Sequence, residues 1–159
     1  ADIPFCIMGG TALAEGIGEK LSQLPAPPGA SLLIVKPPIM VPTKWVYERL
    51  QLDRLARHPD IDGMIGALRQ HDLKGIALRM ENVMESVTES EYPVITDIKK
   101  MMKGNGAMNA LMSGSGPSIF GVYLEEAAAR AAAVYIDQTL RTRGINAQVN
   151  VTGFYNMDS

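Results

Sequence analysis

Ser113-Gly114-Ser115-Gly116-Pro117, inside LMSGSGPSIFGVY, is the stretch whose residue types most invite a chemical reading. Two glycines open the backbone to close approach, and two small hydroxyls stand beside them. The flanks limit what such a loop can be. A dinucleotide loop or a Walker loop runs from a strand into a helix, so that phosphate meets the helix N-terminus. Here Ile119, Phe120, Val122 and Tyr123 follow, which is strand material; Pro117 intervenes, and no Lys-Ser/Thr pair trails the glycines. Two readings stay open: a strand-to-strand turn with Gly114 and Gly116 at positive φ, or a nest of backbone N–H groups facing an anion or a site wall.

Other polar candidates are plainer when taken alone. Asp2, ahead of Ile3-Pro4, reads as a turn residue. Thr43 reads as the N-cap of the helix KWVYERLQL. Tyr47, among Trp45, Val46 and Leu50, is core packing on an amphipathic helix or an exposed ligand contact. His58 precedes Pro59 in a loop and His71 adjoins Asp72 at a helix end; two histidines without clustered Cys or carboxylates make no metal site. Glu15 and Glu19 on a Gly-rich hairpin are too few for a protein-built metal cage.

Composition narrows the partners. The 159 residues are 47% hydrophobic with net charge −2, and no long basic run occurs, which argues against nucleic acid and anionic membrane surfaces. No apolar run reaches the about 20 residues of a membrane-spanning helix. Cys6 is the lone cysteine, so no internal disulfide forms, in keeping with a reducing compartment. The opening ADIPFCIMGG lacks the basic and apolar regions of a secretory signal.

The elements that must position these residues follow from periodicity. PFCIMGGTALAEGIGEKLSQLP reads as strand, Gly9-Gly10 turn and strand, with Phe5, Ile7, Thr11 and Leu13 alternating. Leu32 to Val35 is a buried strand closed by two prolines. Ile61, Met64, Ile65 and Leu68 mark one helix face; Leu73, Ile76, Ala77 and Met80 continue helical spacing through LKGIALRMENVMES. YPVITDIKKMMKGNG is a further helix ended by Gly104 and Gly106. AMNALMS and SIFGVYL are strands on either side of the Ser/Gly loop. EEAAARAAAVYIDQTLRTRG is a helix with acids first and Arg141 and Arg143 last, and Ile145, Ala147, Val149 and Val151 alternate in a closing strand. The fold class is α+β: a ferredoxin-like split β-α-β-β-α-β sheet with extra helices in the first crossover, preceded by a β-hairpin outside that unit.

Taken together, ADIPFCIMGGTALAEGIGE, KPPIMVPTKWVYE, ALMSGSGPSIFGVY and the helix after them resemble, in order and spacing, the galactokinase, homoserine, mevalonate and phosphomevalonate (GHMP) kinase superfamily. The resemblance runs along essentially the whole chain. It implies that residues 1–37 are the tail of an N-terminal kinase domain and 38–159 the C-terminal domain. It also implies that a substrate-facing Lys and a long Gly-rich phosphate loop lie in a missing N-terminal domain, so that these residues alone are close to inactive. Asp2 then matches the proposed catalytic base. Thr43 matches a residue beside the reacting centre, Tyr47 the aromatic that packs on a cytosine ring, and Ser113, Gly114, Ser115 and Gly116 the phosphate-side loop. The implied substrates are ATP with Mg2+ and CDP-methylerythritol, in non-mevalonate isoprenoid biosynthesis, in bacterial cytoplasm or plastid stroma. Exposed strand edges invite self-association. The rivals are a homoserine- or mevalonate-type kinase of the same superfamily, and a non-catalytic ferredoxin-like module for ligand binding or assembly. The module reading expects the first ~30 residues to pair into the same sheet as the rest; the kinase reading expects a separate hairpin.

Overall fold

Leu33 and Val35, in the run SLLIVK, are fully buried and mark the strand about which the rest is arranged. The computed structural model describes residues 2–53 and 58–155; Ala1, which opens the first motif, lies outside them. The elements in order are α1 (Ile3–Met8), β1 (Thr11–Glu15), β2 (Lys20–Leu24), β3 (Ser31–Lys36), α2 (Thr43–Asp53), α3 (Ile61–Arg69), α4 (Leu73–Arg79), α5 (Glu85–Glu91), α6 (Pro93–Gly104), β4 (Asn109–Met112), β5 (Ile119–Tyr123), α7 (Glu126–Thr142) and β6 (Gln148–Gly153). β3 sits inside a four-stranded antiparallel sheet of order β4-β5-β3-β6. From Ser31 the chain therefore runs strand, five helices, strand, strand, helix, strand, and the class is α+β. The sheet draws β3 from the N-terminal side of residue 37 and its other three strands from the C-terminal side.

One face of this sheet carries the main core. Leu33 and Val35 of β3, Ala110 and Met112 of β4, and Ile119 and Tyr123 of β5 pack against Ile95, Ile98 and Met102 of α6 and Ala129, Ala132, Ile136 and Leu140 of α7. Alternation along each strand makes this possible, since every second side chain points to the same face. Gly121 faces Leu33 and Ala110 across the register. A methyl there would lie 3.0 Å from the Tyr123 ring and 3.1 Å from Met102 Sδ, so the glycine lets α6 settle onto β5. A smaller cluster of Ala67, Leu68 and Ile76, with Met64 and Leu24, joins α3, α4 and the end of β2.

The N-terminal segment departs from its sequence reading. Phe5 and Ile7 lie in helix α1, not in a strand. Pro4 stands in the first turn, where its missing N–H costs no helical bond, and the Cys6 and Gly9 amides bond Asp2 O and Phe5 O at 2.9 and 2.7 Å. No residue of α1 is buried, so no sheet enforces the Phe5/Ile7 alternation. The hairpin is β1–β2, paired from Thr11↔Leu24 to Glu15↔Lys20 as a separate two-stranded sheet. It reverses at Gly16 (φ 70°) and Gly18 (φ 93°), where the Ile17 amide donates to the Glu19 carboxylate at 2.7 Å. Farther on, LKGIALRMENVMES is not one helical run: Met80 is extended (φ −61°, ψ 118°) and α5 starts afresh at Glu85. Ile145 and Ala147 precede β6, and both still pack against the main core.

Tyr123 is wholly buried in that core, and its hydroxyl donates to Met102 O at 3.4 Å. Burial disfavours the phenolate and pushes its pKa up to about 12. The neutral phenol thus stabilises the fold fully below the ordinary value of 10.0, and that contribution is lost as pH rises towards about 12. Tyrosinate absorbance in an alkaline titration should show one late-ionising component that disappears in Tyr123→Phe. A single titration step shared by all the tyrosines would contradict this packing.

Candidate active site

β4 and β5 are joined by residues 113–118. The Ser113 amide donates to Ser118 O at 2.8 Å and the Gly116 amide to Ser113 O at 3.0 Å. Gly114 and Gly116 have φ of 56° and 88°, and the Gly116–Pro117 peptide is cis. The loop is thus a strand-to-strand turn that needs its glycines. At Gly116 space adds to the demand: a methyl would meet Met112 Sδ at 2.9 Å and Thr88 Cγ2 at 3.5 Å. The turn also keeps donors free, because among the described residues the Gly114 and Ser115 amides have no hydrogen-bond partner.

The loop's carbonyls are taken up by side chains near α5. Asn82 Nδ2 donates to Met112 O at 2.8 Å and to Gly114 O at 2.7 Å, and its Oδ1 accepts from the Met84 amide at 3.0 Å. Buried Thr88 donates to Ser115 O at 3.1 Å. Glu85 Oε1 accepts from the Met112 amide at 2.7 Å. Behind it, Lys99 Nζ lies 2.8 Å from both Glu85 Oε2 and Glu89 Oε1, with 15% of its side chain exposed. Burial by itself would lower the Lys99 pKa; the hydrogen bonds and charges of Glu85 and Glu89 outweigh it, and the pKa is raised.

From the other side comes α2. Thr43 is its first residue, the first helical bond runs from the Val46 amide to Pro42 O, and the Thr43 hydroxyl lies 3.1 Å from Ser115 Oγ. Thr43 therefore serves the loop through its hydroxyl, where the sequence suggested a capping role. That hydrogen bond spans 72 residues and brings two of the sequence candidates together. Tyr47, one turn on, is 51% exposed, while Val46 takes the buried position on the helix. Trp45 is covered instead by Arg49, whose guanidinium lies 4.5 Å from the ring centre. Asp2 stands exposed at the start of α1, and its carboxylate has no hydrogen-bond or ion-pair partner among the described residues. No hydrogen bond links Asp2 to Thr43 or to the loop. Ser113 and Ser118 also border an open groove of about 410 Å³ lined by Leu32, Ile34, Ile119, Phe120 and Phe154, an apolar space unlike a phosphate site. Among the described residues no three His, Cys, Asp or Glu side chains gather as a metal cage, and no helix is long and apolar enough to cross a membrane.

Asn82, Glu85, Thr88 and Lys99 escaped the sequence reading, which ran one helix through residues 73–86. The available signal was Asn82 itself, a residue that competes for backbone hydrogen bonds and sits poorly inside helices.

The family model described as GHMP kinases C terminal matches residues 64–141. The chain is 52% identical over 152 residues to the 4-diphosphocytidyl-2-C-methyl-D-erythritol kinase of Lachnospira eligens, covering 96% of this chain and 51% of that protein. A crystal structure of 4-(cytidine 5'-diphospho)-2C-methyl-D-erythritol kinase superposes with TM-score 0.73 at 28% identity, over 98% of this chain and 54% of that one. Homoserine kinase from Cytophaga hutchinsonii superposes with TM-score 0.76 at 23% identity, over 94% and 50%, a likeness of fold. The chain spans about half the length of the curated relatives it matches.

The Glu85–Lys99–Glu89 group ties this loop to the core. Lys99→Met should destabilise the protein by about 3 kcal/mol at neutral pH, since it leaves two half-buried carboxylates facing each other. Because the Lys99 pKa is raised, its contribution is intact below the ordinary 10.5 and fades as pH climbs through the higher folded-state value. Urea unfolding of both proteins should give a gap that is flat from neutral pH to about 10 and narrows beyond it. A gap absent at neutral pH would show the pairing to be energetically idle.

Proposed function

We propose that the protein containing this chain is an ATP-dependent kinase that phosphorylates the 2-hydroxyl of 4-diphosphocytidyl-2-C-methyl-D-erythritol, a step of non-mevalonate isoprenoid biosynthesis in the cytoplasm. The substrate assignment draws on the relatives' name. The observation that carries the reading of the site is the Thr43–Ser115 hydrogen bond, which joins a Gly-rich turn with free amides to the helix that exposes Tyr47.

In this reading the 113–116 turn forms one wall beside the transferring phosphoryl group, where unpartnered N–H groups stabilise negative charge. Thr43 orients the reacting end of the substrate and Tyr47 stacks on the cytosine ring. Asp2, a carboxylate with no competing partner among the described residues, accepts the hydroxyl proton as oxygen attacks the γ-phosphorus and the bond from it to the β-phosphate oxygen breaks, releasing ADP. Mg2+ carried on the ATP phosphates would offset their charge. The other residues of the site, a substrate-facing Lys and the principal phosphate loop, are assigned to an N-terminal domain of the same protein.

Turnover of ATP and 4-diphosphocytidyl-2-C-methyl-D-erythritol by the complete gene product tests this directly. Asp2→Asn should lower kcat by about 10²- to 10⁴-fold with little change in KM. Tyr47→Ala should raise KM for the cytidine substrate by about 10-fold or more and leave KM for ATP near wild type, as loss of one stacked base predicts. Unchanged cytidine affinity in Tyr47→Ala would remove the substrate assignment, and full activity in Asp2→Asn would remove the base.

A further inference from the structure

We propose that Asn82 and Thr88 are positioning residues of this kinase site: by holding carbonyls of the 113–116 turn, they fix its shape and aim the free Ser115 amide at the transferring phosphoryl group. The inference rests on the kinase reading above and adds to it the device that sets the wall's orientation.

The geometry is one of peptide planes. In a trans peptide the C=O of one residue and the N–H of the next point in opposite directions. Asn82 Nδ2 draws Gly114 O towards itself at 2.7 Å, so the Ser115 N–H turns to the far side, where it has no partner among the described residues. Thr88 draws Ser115 O at 3.1 Å, so the Gly116 N–H turns away in the same manner and is caught by Ser113 O at 3.0 Å, which tightens the turn. Asn82 reaches a second carbonyl, Met112 O, at 2.8 Å, and Met84 N fixes its Oδ1, so its amide is held at both ends. Thr88 is fully buried, and its methyl lies 3.5 Å from where a Gly116 Cβ would stand, so it packs beside the turn. Neither residue needs to touch substrate for this. They decide which edge of each peptide faces the open side. Removing their donors frees the turn to rotate, and misplacement of such groups by about 1 Å costs on the order of 10²-fold in rate.

The test uses the complete gene product with ATP and 4-diphosphocytidyl-2-C-methyl-D-erythritol. Thr88→Val removes the hydroxyl at constant shape, Thr88→Ser keeps it, and Asn82→Ala removes the amide. Steady-state kinetics, thermal midpoints and amide hydrogen exchange at Gly116 are read for each. Thr88→Val and Asn82→Ala should each lower kcat/KM for ATP by about 10- to 100-fold, and the double variant should fall little further because both act on one turn. Thr88→Ser should stay within about 3-fold of wild type, and Gly116 should exchange faster in the two donor-less variants but not in Thr88→Ser. Wild-type kcat/KM in both Thr88→Val and Asn82→Ala overturns the proposal, as does a loss in Thr88→Ser equal to that in Thr88→Val. Should Thr88→Val fail to fold, Asn82→Ala decides by the same criteria. A wild-type protein without ATP-dependent turnover overturns the kinase reading instead, and unchanged Gly116 exchange overturns the brace whatever the turnover.

Discussion

Three carbonyls at the β4–β5 turn are hydrogen-bonded by side chains from outside it, while Ser113 O and Ser118 O are bonded by amides within it. Met112 O, Gly114 O and Ser115 O all end on Asn82 or Thr88. Met112 O and Ser115 O are part-buried, and because an unpaired buried carbonyl costs about 1–3 kcal/mol, these two contacts constrain the shape of the turn as well as stabilising it. The interruption between α4 and α5 lies in the same place: Asn82 sits in it, with Oδ1 accepting from the Met84 amide and Nδ2 reaching the turn. The Glu85–Lys99–Glu89 group then fastens α5 and α6 behind it, and α6 is packed on the sheet that carries the turn. Turn, helix break and ion group form one closed circuit of contacts.

Thr43 completes the circuit from the opposite side. Its hydroxyl meets Ser115 Oγ while Thr88 holds the same residue's carbonyl, so Ser115 is gripped at both its side chain and its backbone. Only the N–H edge of that part of the turn is left open. An open N–H edge with hydroxyls beside it attracts negative charge. The exposed Tyr47 ring stands one helical turn from Thr43, so the helix that meets the turn also carries an exposed aromatic surface.

Much of this was legible before the fold. Strand β3, both strands around the Ser/Gly turn, and helices α6 and α7 follow from periodicity and end signals, because each buries one regular apolar face; α3 forms as expected, although Ile61 of its apolar face is exposed. Phe5 and Ile7 misled for the opposite reason: α1 is exposed on every side, so their alternation answered to no partner, and Pro4 favoured a helical first turn. The glycines of the Ser/Gly turn were legible as positive-φ positions. The donors that hold the turn were not, since Asn82 and Thr88 lie about thirty residues from it in sequence and nothing local marks them as its partners. Gly121 was equally silent: its importance lies in the 3.0–3.1 Å that Tyr123 and Met102 leave for a side chain.

The account turns on the 113–116 backbone being the phosphate-side wall. The most direct measurement is nuclear magnetic resonance on the complete gene product labelled with ¹⁵N at glycine and serine, titrated with a non-hydrolysable ATP analogue and Mg2+. The account predicts that the Gly114, Ser115 and Gly116 amides move most among the labelled positions of this chain, in step with nucleotide occupancy. Saturation with nucleotide that leaves those three resonances in place would contradict it.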